Sequence, residues 1–209
     1  MVVAAALLWA GLAGAIATTE GKKGLLQLGD PAPDFSLTDV VSGKTVSLMD
    51  FKGRKGFLVM IVCRHCPFVQ HVKKELTKLA VNYAEKDIAI VAISANDPAG
   101  YPDDAPDKLK AMAVEEGWDF PLLFDESQAV AKAYTAVATP DFYLFDENRY
   151  LVYRGQLDDS RPGNDLPLTG GDLRAAIDAL LAGEPLAAKQ KPSSGCSIKW
   201  KEGGEPAYL

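Results

Sequence analysis

Two continuous apolar runs, 57–62 and 88–93, flank a stretch in which Phe68, Val72, Leu76, Leu79 and Tyr83 recur at intervals of three and four. The runs are rich in β-branched residues and lack polar alternation, which is the pattern of strands covered on both faces. Between them Lys73, Lys74, Glu75 and Lys78 interleave with the apolar positions, so that stretch is an amphipathic helix with one face on a sheet. Strand, helix and strand in this order make a parallel β-α-β unit, and the class is α/β.

Cys63-Arg64-His65-Cys66 stands where the first run ends and the helix begins. Two residues between cysteines at a helix start let the sulfurs reach bonding distance, and the unpaired N–H groups there favour a thiolate. The chemistry implied is thiol-disulfide exchange. Pro67 suits the first helical turn, where its missing N–H costs nothing. Three cysteines in 209 residues are too few for a disulfide-stapled scaffold, and Cys196 is far from the other two. Acidic residues outnumber basic ones, 28 to 22, and no segment concentrates Lys and Arg, so nucleic acid is excluded as a partner.

The remaining segments fall into one domain with extensions. Residues 2–17 form an apolar run shorter than the roughly 20 residues of a spanning helix, and it ends in Ala15-Ile16-Ala17. Residues 1–17 therefore read as a cleaved secretory signal, with an uncleaved anchor as the alternative and a membrane contact only in that case. Export places the chain in the periplasm or outside the cell, where a dithiol is a working part that needs resetting; an anchored or cytoplasmic location is the alternative. Residues 18–28 read as linker, 29–183 as the domain and 184–209 as a tail packing on it. Within the domain, 35–40 and 45–48 read as a hairpin around Ser42-Gly43-Lys44. A second helix begins at Asp104 and Pro106 and stops at Gly117; a strand over 120–124, a short helix over 127–134 and strands over 142–145 and 151–154 follow. Residues 155–170 read as a polar loop, with Thr169 capping a last helix over 173–181.

A β-α-β unit with the dithiol after its first strand, followed by a β-β-α unit entered through Thr139-Pro140, resembles the thioredoxin fold: a central mixed sheet flanked by helices, here with an N-terminal hairpin extension. Gly29-Asp30-Pro31-Ala32-Pro33-Asp34-Phe35 resembles the opening of the alkyl hydroperoxide reductase and thiol-specific antioxidant (redoxin) branch. Cys63-Arg64-His65-Cys66-Pro67-Phe68-Val69, Thr139-Pro140-Asp141-Phe142, the segment from Leu157 through Asp158, Asp159, Ser160, Arg161, Pro162 and Gly163 to Asn164, and Gly195-Cys196-Ser197-Ile198-Lys199-Trp200-Lys201 together resemble the peroxiredoxin-like thioredoxin-family proteins. Arg64 stands where many relatives have Asn, and Ala138 where many have a further cysteine. Val62 stands where thioredoxins carry Trp, and Phe57 where they carry a buried carboxylate, so proton transfer at Cys66 needs another group or water.

The resemblance implies a dithiol-disulfide couple with no other cofactor, an antioxidant or redox-homeostasis role, a protein or small-molecule thiol or disulfide substrate, and an electron donor or acceptor protein. It makes Cys63 the exposed attacker and Cys66 the buried resolver. Arg64 and His65 then place positive charge beside Cys63, whose pKa is expected well below about 8.5. Thr139 and a cis Pro140 face the pair. Cys196 is a lone tail thiol or a third redox thiol; Asp158, Asp159 and Arg161 rim the cleft or form a turn. Two rivals remain. A thiol-dependent peroxidase lacks its usual Thr, since Cys63 occupies that position relative to Cys66 and Val59 the place of the upstream Pro. A zinc or copper site could draw on Cys63, Cys66 and Cys196 with His65 or His71, but the C-terminal half supplies only Cys196, so no metal is assigned.

Overall fold

The computed structural model describes residues 24–209; the leader at 1–17 and the linker up to residue 23 lie outside the described residues. The hairpin forms around Ser42-Gly43-Lys44 as β1 (Ser36–Asp39) and β2 (Thr45–Ser47), paired antiparallel. The unit read from the apolar runs follows as β3 (Gly56–Ile61), α1 (Pro67–Tyr83) and β4 (Ile88–Ser94), its two strands parallel. Then come α2 (Pro106–Glu115), β5 (Leu122–Phe124), α3 (Ala129–Ala133), β6 (Ala138–Thr139), β7 (Asp141–Asp146), β8 (Leu151–Gly155), α4 (Gly171–Ala182) and β9 (Cys196–Ser197). Seven strands form one mixed sheet in the order β2-β1-β5-β4-β3-β7-β8, and β6 and β9 form a separate two-stranded ladder.

Alternation along β3 divides the core. Leu58 and Met60 face α1, α2 and α4 through Leu76, Leu79, Leu109, Leu173 and Ile177. Phe57, Val59 and Ile61 face the other layer, with Phe35, Tyr134, Tyr143 and Phe145. Both faces are covered, which is why β3 carries no polar residue. Val69, Val72, Leu76 and Leu79 of α1 are buried, each worth ~1.5–3 kcal/mol for its removal from water. Glu75 sits on the same helix among the polar positions of the sequence, yet it is buried. The Arg174 guanidinium of α4 reaches it at 2.7 Å and joins the two helices.

Ordered pairing starts at the opening of the domain: the Gly29 N–H donates to the Leu151 carbonyl at 2.8 Å and the Leu151 N–H to Asp30 at 2.9 Å. Thr169 does not cap α4. Gly170 is the capping position, with φ +69°, and the N–H groups of Thr169 and Gly170 donate to the Asp158 carboxylate. The tail packs on the domain: Ile198 is 4% exposed within the core and β9 pairs with β6. Among the described residues, no helix is long and apolar enough to cross a membrane.

Candidate active site

Strand directions bring four separate segments to one end of the sheet. Because β3 and β4 run parallel, Cys63 and Asn96 emerge side by side, fixed by the Val62 N–H donating to Ile93 at 2.9 Å. Because β7 runs antiparallel to β3, with Ile61 opposite Asp141, the start of β7 lies beside the end of β3. Thr139-Pro140, whose peptide is cis, is thereby set against the cysteines. Cys63 Sγ lies 3.1 Å from Thr139 Oγ1, and Cys66 Sγ lies 3.2 Å from the Thr139 carbonyl oxygen. The fourth segment is the tail, which places Cys196 Sγ 2.7 Å from Cys66 Sγ. All three cysteines are free thiols.

Both sulfurs of the pair are enclosed: Cys63 and Cys66 are each 0% exposed. The Cys63 thiol is pushed up, first by its hydrogen bond to Cys66, then by burial, with the Asp104 charge adding to both. Cys66 is held well below the ordinary thiol value, first by the hydrogen bond from Cys63, against burial, and with help from Cys196 and the Val69 N–H. α1 starts at Pro67 with Cys66 as its N-cap, so the pair stands at the helix N-terminus, where the unpaired N–H groups favour a thiolate. The Thr139 carbonyl accepts from Cys66 only when that sulfur carries its proton. Cys196 is half-buried, and its thiol is pushed up by burial and then by Cys66.

Arg64 and His65 are each engaged by a carboxylate. Arg64 pairs with Asp103 at 2.8 Å on the surface, and His65 Nδ1 donates to Asp104 Oδ2 at 2.5 Å. Asp104 was legible as a helix-start residue, but α2 is capped at Ala105 without a side-chain bond. Its buried carboxylate instead accepts the backbone N–H groups of Arg64 at 2.6 Å and His65 at 3.0 Å, and the Asn96 amide at 2.8 Å. Asp104 and Asn96 are the site residues that sequence reasoning missed. Their only signal was a position shortly after β4, the neighbour of the dithiol strand.

The ligand atoms of Cys63, His65 and Asp104 lie within 4.8 Å of one another. Both Asp104 oxygens and His65 Nδ1 are engaged in the bonds just described, so this is a hydrogen-bonded brace. His71 is held by Ser160 Oγ at 2.8 Å.

The proposed cleft rim separates into three different roles. Asp158 is buried and accepts the N–H groups of Ser160, Thr169 and Gly170 at 2.9, 2.7 and 2.6 Å, so it organises the 155–170 loop rather than facing substrate. Asp159 turns to Lys191 at 2.5 Å. Only Arg161 lines a recess with Pro140, Phe68 and Ser194. Asp158→Ala is expected to destabilise the fold by about 2–4 kcal/mol, since three N–H groups lose a charged acceptor. Thermal unfolding checks it: an unchanged midpoint would show the loop holding without the carboxylate.

The sheet order and helix placement define a thioredoxin-fold redoxin. The AhpC/TSA family model matches residues 28–154, and the chain belongs to the AhpC/TSA family. It is similar to an uncharacterized conserved protein from Geobacillus kaustophilus, 54% identical, with a TM-score of 0.83 over 85% of this chain and 94% of that one. A hypothetical protein from Sinorhizobium meliloti 1021 is 45% identical, with a TM-score of 0.82 over 84% of this chain and 96% of its own. The thiol-disulfide oxidoreductase ResA of Halalkalibacterium halodurans is 26% identical over 130 residues, which is 62% of this chain and 69% of that relative. Family and relatives agree on the coarse class, an oxidoreductase acting on thiols.

Proposed function

We propose that this protein is a thiol-disulfide oxidoreductase in which Cys63 and Cys66 alternate between dithiol and disulfide, with an antioxidant or redox-homeostasis role and no other cofactor. The observation that carries the reading is the placement of the pair: Cys66 caps the N-terminus of α1, Cys63 precedes it in the same loop, and Thr139 touches both sulfurs. The Cys66 thiolate attacks a substrate disulfide, one substrate thiolate leaves with a proton, and a mixed disulfide forms. Cys63 then gives up its proton and attacks the Cys66 sulfur, releasing the second substrate thiol. One substrate disulfide is reduced to two thiols while the dithiol is oxidised to a disulfide, and a donor protein or small thiol resets it. The reaction runs in the opposite sense where the partner's potential requires it. An exported setting, inferred from the leader at 1–17, fits a couple that needs resetting.

Two measurements test this. Mass spectrometry after oxidation is expected to find Cys63 linked to Cys66, and reduction to remove the link. The reduction potential then assigns direction: near about −120 mV the protein donates disulfides, near about −270 mV it reduces them. A protein in which that link never forms has another function. The stabilised Cys66 thiolate also favours a second reading as a thiol-dependent peroxidase, for which rapid peroxide consumption with a thiol reductant is the distinguishing result.

A further inference from the structure

We propose that Cys196 is a third redox thiol of this site, whose disulfide with Cys66 exchanges with the Cys63–Cys66 disulfide and locks the tail strand across the dithiol. The inference rests on the couple proposed above and adds a second covalent state to it.

The sulfurs are already adjacent. Cys66 Sγ and Cys196 Sγ stand 2.7 Å apart, against about 2.05 Å for a disulfide. Cys66 is thus between two partner sulfurs, Cys63 within its own loop and Cys196 on a strand some 130 residues later. The adjacency is built in on both sides of Cys196. Thr139 pairs opposite Cys196 and Ala138 opposite Ser197 in the antiparallel ladder. Gly195 packs so tightly that a Cβ there would come within 2.0 Å of the Thr139 carbonyl oxygen. Upstream, Ser193 Oγ lies 2.6 Å from the buried Asp141 carboxylate. Downstream, the Lys199 N–H donates to Asn96 Oδ1 at 2.8 Å, Gln128 Nε2 to the Lys199 carbonyl at 3.0 Å, and the Lys201 N–H to Gln128 Oε1 at 2.9 Å. Asn96 also holds Asp104, so one amide ties the tail to the brace under the Cys63-Cys66 loop.

The exchange needs no external oxidant. Starting from the Cys63–Cys66 disulfide, the Cys196 thiol loses its proton and its sulfur attacks Cys66 Sγ. The Cys66–Cys196 bond forms as the Cys63–Cys66 bond breaks, and Cys63 leaves as a thiolate that takes up a proton. The number of disulfides is unchanged. What changes is access: with Cys196 bonded, β9 cannot leave β6, and an extended peptide disulfide cannot add to that edge.

The test is disulfide mapping of the full chain by non-reducing mass spectrometry. Cys63→Ser oxidised with diamide is expected to yield Cys66 joined to Cys196 within one chain; recovery of Cys66 as free thiol, or only in links between chains, overturns the proposal. Gly195→Val, which pushes the tail from Thr139, is expected to slow that link about tenfold or more in the Cys63→Ser background, while the Cys63–Cys66 link still forms when Cys63 is present. An undiminished rate overturns the role of the strand. Loss of the Cys63–Cys66 link in the unaltered protein is a separate result and bears on the proposed function alone.

Discussion

Cys66→Ser is expected to abolish disulfide exchange, by on the order of 10³-fold or more, and to remove the thiolate that titrates below the ordinary range. Cys66 is the sulfur common to both neighbours: Cys63 donates to it and Cys196 touches it at 2.7 Å. Without it, Cys63 loses its sulfur partner and the hydrogen bond that raises it most, and burial still favours its thiol form. Cys63→Ser differs in kind. Serine retains a hydroxyl that can donate to Cys66, so the low-titrating thiolate persists, but turnover is lost with the resolving sulfur. Cys63→Ala lacks that donor, and the pKa of Cys66 rises. The sign follows from the largest cause of the depression, the Cys63 hydrogen bond: a donor to the thiolate favours the charged form, and its loss favours the thiol. Ultraviolet titration of the thiolate in the three variants, alongside insulin reduction, checks the order. A low-titrating thiolate that survives in Cys66→Ser would place the charge on Cys63 and return the roles to those the resemblance implied.

Period and placement made much of this legible. The apolar runs at 57–62 and 88–93 and the three-four spacing between them located β3, α1 and β4 closely, because a strand covered on both faces and a helix covered on one leave different patterns. Other features depended on contacts far apart in sequence. Cys63 and Cys66 are equivalent as letters, and only the start of α1 at Pro67 decides which one caps the helix. Asp104 has the composition of a helix cap, and its orientation toward Arg64 and His65 follows from the Pro102–Asp104 turn packing under a loop some 40 residues earlier. Asp158 stands in a run of turn-forming residues, and nothing local marks it as the acceptor that closes the loop onto α4. The tail was visible as a Cys-bearing segment, but its pairing with Thr139 is a long-range register that periodicity does not encode.

Asp104→Asn is expected to lower stability by about 2–3 kcal/mol and to shift the chemistry of the dithiol at the same time. One oxygen of Asp104 accepts two backbone N–H groups, and the other faces the Asn96 amide and His65 Nδ1. An asparagine of the same shape replaces one acceptor with a donor, so at least one buried N–H is left facing another, and charge-assisted bonds become neutral ones. For a chain of this size that loss corresponds to a fall of about 4–12 °C in the unfolding midpoint. The electrostatic consequence has a definite sign. The Asp104 carboxylate lies within 4.8 Å of Cys63 Sγ, so its negative charge disfavours a thiolate at the pair and its removal favours one. A more stable thiolate on the pair stabilises the reduced form, and the potential of the Cys63–Cys66 couple becomes less negative. A purely structural residue would move the midpoint and leave the potential of the folded protein unchanged. If both quantities stay at their original values, Asp104 neither braces the loop nor sets the field at the sulfurs. If the potential becomes more negative, the Asp104 charge acts at the dithiol with the opposite sign to the one its position gives it.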